Sequence, residues 1–369
     1  MRIAYLHSGS IPSVYANGIH VMRMCDAFTE AGHDVTLYAL PGSYPADDPH
    51  AYYGTRHRFP VRSVPAPDTG AAGYRERAAR VSELLIDGAA PDLIYGRDAY
   101  SLALAPDLAP LVYETHLLWD DPDIRRAERE LLARPSLARV VVITHALARD
   151  FRQAHGGPGT PPVLVAPDCA DPPGSYPAPP RLPGRPGVPR IGYVGHLYAG
   201  RGIDLILDLA GRLPGLDFHL VGGTPEDRAR WEEPGRLPNV YFHGHRPPGA
   251  VRAYVPLFDV VLAPYQKKVY AAGGLGETSR WASPLKLFEY LAHGRAIVAS
   301  DLPVLHEVLQ DRVNCLLRPP GDPAAWVAAI TELLADPALR RALGDEGRRQ
   351  VLDRYTWRHR ADDVLAGLH

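Results

Sequence analysis

Ser283-Pro284-Leu285-Lys286-Leu287-Phe288-Glu289-Tyr290-Leu291-Ala292-His293-Gly294 runs directly into Arg295-Ala296-Ile297-Val298-Ala299-Ser300-Asp301. Serine is a favoured N-cap, proline suits the first helical position and glycine stops helices, so the first part reads as a short helix. The second part is a brief apolar run, which is how a strand buried in a parallel sheet reads. The helix start leaves backbone N–H groups free at Leu285 and Lys286. With the Lys286 ammonium and the positive end of the helix dipole, they form a cradle suited to a diphosphate. Glu289 lies one turn further on, roughly 5–6 Å away between side-chain bases, where a carboxylate suits the two hydroxyls of a ribose. Taken alone, the same residues also read as a plain helix start with a solvated Lys–Glu pair.

Working outward, the same alternation fills the chain. Expected strands are Arg2–His7, Asp34–Tyr38, Val61–Val64, Asp92–Tyr95, Leu111–Glu114, Arg139–Ile143 and Val163–Ala166, then Ile191–Gly195, Asp217–Val221, Val240–His243, Asp259–Ala263 and Ala296–Ser300. Helical patterns separate them, among them His20–Ala31, with Val21, Met24, Cys25 and Phe28 on one face, and Gly202–Arg212. Between Ala170 and Pro189 the pattern breaks: eight prolines and three glycines crowd into twenty residues, the composition of a linker. Two successive parallel α/β sheets predict two Rossmann-like domains, with ligands beyond the carboxyl ends of the strands.

The 369 residues suit two domains, and a net charge of -2 argues against nucleic acid or simple electrostatic membrane docking. Cys25, Cys169 and Cys315 are too few and too scattered for a disulfide framework or a zinc site, which points to a reducing cytoplasm. No signal peptide and no membrane-length apolar window is evident. Of 40 basic residues only Lys267, Lys268 and Lys286 are lysines, all within twenty positions. With Arg280 and the glycines between them, they suggest a lid over 266–282. Arg75, Arg77 and Arg80 on Tyr74–Leu84 leave peripheral lipid contact open, but Glu76 and Glu83 favour a solvated helix.

The Ser283–Asp301 segment resembles the Glu-x7-Glu region of the retaining glycosyltransferases of family four. Glu289 matches the second glutamate, while Trp281 stands where the first would be. Gly192-Tyr193-Val194-Gly195-His196-Leu197-Tyr198-Ala199-Gly200-Arg201-Gly202 is similar to the donor-phosphate region, with His196 at the family's arginine position and Arg201 at its lysine position. Leu220-Val221-Gly222-Gly223-Thr224-Pro225 resembles the turn against the nucleotide base. Asn17-Gly18-Ile19-His20-Val21 resembles the loop that approaches the donor phosphate, and Val112-Tyr113-Glu114-Thr115-His116 the strand whose histidine contacts the donor sugar. An ordinary loop glycine and a solvated strand-end histidine fit those last two stretches as well.

The resemblance implies a GT-B fold, two Rossmann-like domains facing across a cleft. Residues 1–170 would form the acceptor-side domain, 171–189 the linker, 190–352 the nucleotide-sugar-binding domain, and 353–369 a helix packing back on the first. It implies transfer of a sugar from a nucleotide diphosphate to an acceptor hydroxyl. His116, Arg201 and Lys286 would be catalytic; Gly18, His196, Gly222, Gly223, Ser283, Pro284, Leu285 and Glu289 would bind the donor. No metal and no cofactor beyond the nucleotide-sugar co-substrate is expected. Asp121-Pro122-Asp123 matches a metal-binding pattern of another architecture. A dehydrogenase lacks its glycine motif after the first strand, and no nucleophile elbow follows any strand. A sugar-nucleotide epimerase and a catalytically degenerate nucleotide-sugar-binding subunit are the alternatives.

Overall fold

The computed structural model describes residues 1–157, 159–174, 178–232, 237–269 and 279–368. Most of the expected lid, at 270–278, lies outside the described residues. The chain divides into two compact units: unit 1 is Met1–Asp168 with Trp357–His369, and unit 2 is Cys169–Thr356.

Unit 1 runs β1 (Arg2–Ser10), α1 (Ala16–Glu30), β2 (Asp34–Leu40), α2 (Pro49–Tyr53), β3 (Val61–Ser63), α3 (Ala71–Asp87), β4 (Leu93–Gly96), α4 (Ala99–Ala103), β5 (Leu111–Thr115), α5 (Pro122–Leu132), β6 (Leu137–Val142), α6 (His145–His155) and β7 (Val163–Val165). Its strands form one parallel sheet in the order β3-β2-β1-β4-β5-β6-β7. β4 and β5 are buried throughout, as strands covered on both faces must be. Helix α1 starts at Ala16, a turn before the expected His20. The apolar stripe that marked the helix begins only once it meets the core, whereas Ala16 and Asn17 are exposed.

Unit 2 runs β8 (Arg190–Val194), α7 (Ile203–Arg212), β9 (Asp217–Val221), α8 (Pro225–Glu232), β10 (Val240–Gly244), α9 (Pro248–Val251), β11 (Val260–Ala263), α10 (Leu285–Ala292), β12 (Ala296–Ser300), β13 (Leu316–Arg318), α11 (Pro323–Ala335) and α12 (Pro337–Arg354). The sheet order is β10-β9-β8-β11-β12-β13, again all parallel. Ile191, Leu205, Phe218, Val260, Val298 and Trp326 meet in its core. The proline-rich stretch is anchored to this unit: Asp171 pairs with Arg252, and Arg185 reaches the buried carboxylate of Asp217.

The last helix, α13 (Trp357–Leu365), belongs to unit 1, where it packs on α1. Arg360 ties it down, donating to the carbonyls of Pro167 at 2.9 Å and Ala166 at 3.0 Å. Both sheets share one topological feature. The chain leaves β1 toward β2 and β4 toward β5, and likewise leaves β8 toward β9 and β11 toward β12. Each such reversal leaves a crevice beyond the carboxyl ends of the two central strands. Among the described residues, no helix is long and apolar enough to cross a membrane.

Candidate functional site

In unit 2 the crevice lies past β8 and β11. Gly195 follows β8 with φ +144, and a Cβ there would stand 2.6 Å from the Lys286 Nζ. Gly222, at φ +127, has room only for hydrogen, because a Cβ would stand 2.1 Å from the Gly195 carbonyl. Gly223 sits over Leu197 in the same way. These close backbone approaches lay the Lys286 side chain along the strand end.

The walls of this site are tyrosines. Lys286 Nζ lies 3.8 Å from the ring centre of Tyr193 and 5.1 Å from that of Tyr265. The Arg201 guanidinium covers Tyr198 at 4.8 Å and Tyr265 at 5.4 Å, and donates to the Tyr198 hydroxyl at 2.6 Å. Cation–π contact holds both cations without neutralising either. Neither forms an ion pair with a carboxylate among the described residues, and Arg201 Nε is buried with no hydrogen-bond partner. Burial and then the Arg201 charge push the Lys286 ammonium well below its usual pKa.

Helix α10 points its N-terminus at this pair. Pro284, not Ser283, occupies the N-cap, with φ -76 and ψ 118, and it makes no side-chain cap bond. The ring fixes φ and the chain turns helical only at Leu285, so the start falls one residue later than the sequence suggested. The backbone N–H groups of Leu285 and Lys286 accordingly take no partner among the described residues, and the first bond of the turn runs from Leu287 N–H to the Pro284 carbonyl at 2.9 Å. Tyr290 locks the helix to β8, its hydroxyl accepting from Val194 N–H at 2.7 Å. Glu289 lies 4.0 Å from Arg252 Nε, and Arg252 is itself held by Asp171. The His196 carbonyl accepts from the Tyr193 hydroxyl at 2.7 Å while its ring leans on Tyr198.

His116 and Gly18 belong to unit 1. His116 Nε2 lies 2.6 Å from Glu114 Oε1, and burial followed by the Arg97 charge lowers its pKa to about 3 against the pull of Glu114. Glu114 Oε1 is also 2.7 Å from His20 Nε2 and accepts from Arg360 Nη2 at 2.9 Å, while Tyr95 donates to Oε2. Burial alone would raise the Glu114 carboxyl, but Arg360, His20 and His116 hold it well below the usual range. The ligand atoms of His20, Glu114 and His116 lie within 4.8 Å of one another. Arg360 already neutralises this carboxylate through both oxygens, so a divalent ion would have to displace or oppose a buried guanidinium.

Two expectations need correction, and a third motif finds its local role. Gly18 lies in the first turn of α1, not in a loop, and a Cβ there would meet the Tyr53 hydroxyl at 2.4 Å; its missing side chain admits that ring. Arg77 is not on a solvated face. It is buried, paired to Asp98 at 2.6 Å and donating to the His7 carbonyl at 2.9 Å. Asp121 caps α5, accepting from the N–H groups of Asp123 and Ile124. Sequence reasoning overlooked Arg252, Arg97 and the role of the tyrosines as walls, because each acquires meaning from a residue distant in the chain.

Residues 18–168 match the family model for a glycosyl transferase 4-like domain, and residues 201–366 match that for a glycosyl transferase-like domain. TuaH of Bacillus subtilis (strain 168), whose assignment as a teichuronic acid biosynthesis glycosyltransferase is itself provisional, is 33% identical over 155 residues, 42% of this chain and 36% of that protein. The phosphatidyl-myo-inositol mannosyltransferase of Mycobacterium leprae (strain TN) is 29% identical over 192 residues, 48% of this chain and 47% of the other. The chain thus spans less than half the length of the curated relatives it matches. Among solved structures, sucrose-phosphate synthase from Thermosynechococcus elongatus has a TM-score of 0.72 at 19% identity, covering 99% of this chain and 97% of that one. Anabaena HepE in complex with UDP scores 0.71 at 16% identity, covering 100% and 99%. The fold is that of the GT-B glycosyltransferases: two parallel-sheet Rossmann-like domains.

Proposed function

We propose that the chain is a retaining glycosyltransferase that moves a sugar from a nucleoside diphosphate to an acceptor hydroxyl. The observation that carries this reading is the unneutralised pair Arg201 and Lys286 at the open N-terminus of α10. Two half-buried cations without an acid are costly unless an anion joins them. Two phosphates in contact with a guanidinium, an ammonium and free backbone N–H groups satisfy every donor present. Glu289, steered by Arg252, suits the ribose hydroxyls, and the Gly222-Gly223 turn suits a flat base. HepE, a fold neighbour, is known in complex with UDP and with UDP-glucose.

As the bond from the sugar C1 to the diphosphate oxygen breaks, its electron pair moves onto the diphosphate, where Arg201, Lys286 and the helix N-terminus stabilise the growing charge. The acceptor hydroxyl attacks C1 from the same face and passes its proton to the departing phosphate oxygen, so configuration is kept and atoms balance. In unit 1, His116, fixed through Nε2 by Glu114, presents Nδ1 to a sugar hydroxyl.

The test is a thermal-shift panel of UDP-, GDP- and dTDP-sugars on the full chain. Turnover of any stabilising donor follows, with the anomeric configuration of the product read by NMR. An inverted product would remove the retaining assignment, and indifference to every nucleotide sugar would remove the reading altogether.

A further inference from the structure

The crevice of unit 1, past β1 and β4, has its own unbalanced charge. The pairing of Leu6 with Gly96 sets His7 and Arg97 side by side just beyond it, and the pairing of Gly96 with Tyr113 brings Glu114 into the same row. Strand alternation places Tyr5, His7, Tyr95, Arg97, Glu114 and His116 on one face. The Tyr5–Tyr95 ring contact at 5.1 Å and the Tyr95–Glu114 hydrogen bond lie on that face.

Around this row every acid has a base. Glu114 is held by Arg360, Asp168 lies 2.7 Å from His20 Nδ1, and Asp98 is paired with Arg77. Arg97 is left over: it makes no ion pair and no side-chain hydrogen bond among the described residues, and its Nη1 is buried. Beside it His7 is 2% exposed, with neither ring nitrogen hydrogen-bonded among the described residues. A neutral imidazole always carries one N–H, so His7 is a buried donor with no acceptor among the described residues, an arrangement native folds rarely leave without a purpose. Gly9 keeps the space over the ring clear, since a Cβ there would lie 2.5 Å from His7 Nε2 and 3.3 Å from Asn17 Nδ2. The Arg97 charge lowers the pKa of both His7 and His116, after burial, which is what shared proximity to one unpaired cation produces.

We propose that Arg97, His7 and His116 form a binding site for an anionic group, a carboxylate or a phosphate, carried by one of the sugar substrates. A neutral hydroxyl would satisfy the imidazoles but leave the guanidinium charge unanswered. A carboxylate or phosphate answers both, because the fork of Arg97 donates bidentately to either. The anion sits on the transferred sugar, as in a uronic acid donor, or on the acceptor; the site chemistry is the same. Assigning it to a sugar rests on the glycosyl-transfer reading above, whereas the binding of an anion at Arg97 does not.

Calorimetry on the full chain tests this in two stages. Inorganic phosphate is titrated into the Arg201→Gln, Lys286→Met double variant, in which the two cations proposed to hold the diphosphate are gone. Phosphate binding there should fall roughly ten-fold or more on adding Arg97→Gln. Arg97→Lys, which keeps the charge and loses the fork, should give a smaller loss and serves if the glutamine variant does not fold. The otherwise unaltered chain is then titrated with UDP-glucuronic acid and UDP-glucose, and, with UDP saturating, with glucuronate, glucose 6-phosphate and glucose. Preference for the charged donor places the anion on the donor; preference for a charged free sugar places it on the acceptor. In either case Arg97→Gln should abolish the preference and leave UDP affinity unchanged. If phosphate binding depends on Arg97 but no UDP compound binds, the anion site stands and the glycosyl-transfer reading falls. If Arg97→Gln binds phosphate like its parent, or the parent binds UDP but never prefers a charged sugar, the proposal is overturned.

Discussion

Glu128→Gln should convert a pH-dependent unit 1 into a pH-independent one at this position. Glu128 is wholly buried on α5; the Tyr113 hydroxyl donates to Oε1 at 2.9 Å, and His155 Nε2 lies 3.4 Å from Oε2. Burial raises its carboxyl from 4.5 to about 7, against the Tyr113 hydrogen bond and the charges of Arg125 and Arg129. Below pH 4.5 the carboxyl is protonated in both folded and unfolded chains and costs nothing. Between 4.5 and 7 only the unfolded chain releases the proton, so stability is lost as pH rises, and above 7 the loss is complete. At about 1.4 kcal/mol per tenfold, that loss is about 3 kcal/mol. Glutamine keeps an oxygen for Tyr113 and turns an N–H toward His155, so the variant should match the parent near pH 5 and exceed it at pH 8.5. The gain corresponds to roughly 6–12 °C in the melting temperature of a unit this size. Tryptophan fluorescence melts of parent and variant across pH 5–8.5 measure it, because Trp119 donates to the same Tyr113 hydroxyl. A parent-minus-variant difference that stays flat over this range would refute the reasoning.

Three further outcomes follow from unit 2. Lys286→Met should weaken UDP binding by about 1.5–3 kcal/mol, the worth of a charge-assisted hydrogen bond, while leaving the free protein at least as stable, because the repulsion between the ammonium and the Arg201 charge is gone; unchanged affinity by calorimetry would show the lysine is only packing. Gly195→Ala should lower the melting temperature and UDP affinity together, since φ +144 strains any side chain by about 1–3 kcal/mol and the new Cβ would collide with Lys286 Nζ; a parent-like variant would mean the strand end relaxes freely. Glu289→Gln should reduce the preference for UDP over its 2′-deoxy analogue, and an unaltered ratio would detach Glu289 from the ribose.

How much of this was legible beforehand divides along physical lines. The alternation of β-branched runs with amphipathic stretches is a property of short windows, and it placed both parallel sheets, every strand of unit 1 and five strands of unit 2. β13 escaped because Leu316-Leu317-Arg318 lacks the valines that marked the equally short β3 and β7, and it is a strand only by pairing with Val298–Ser300. That Lys286 and Glu289 share one short helix could be read beforehand, since the i, i+3 relation is local. The environment of each charge was not local. Arg77 looked solvated until α3 turned it onto Asp98, Gly18 looked like a loop glycine until Tyr53 arrived from α2, and Glu114 meets the arginine that neutralises it 246 positions later in the chain. Periodicity settles which residues form strands and helices. Whether a cation is paired or left waiting for a ligand depends on partners that only the folded sheets bring within hydrogen-bonding distance.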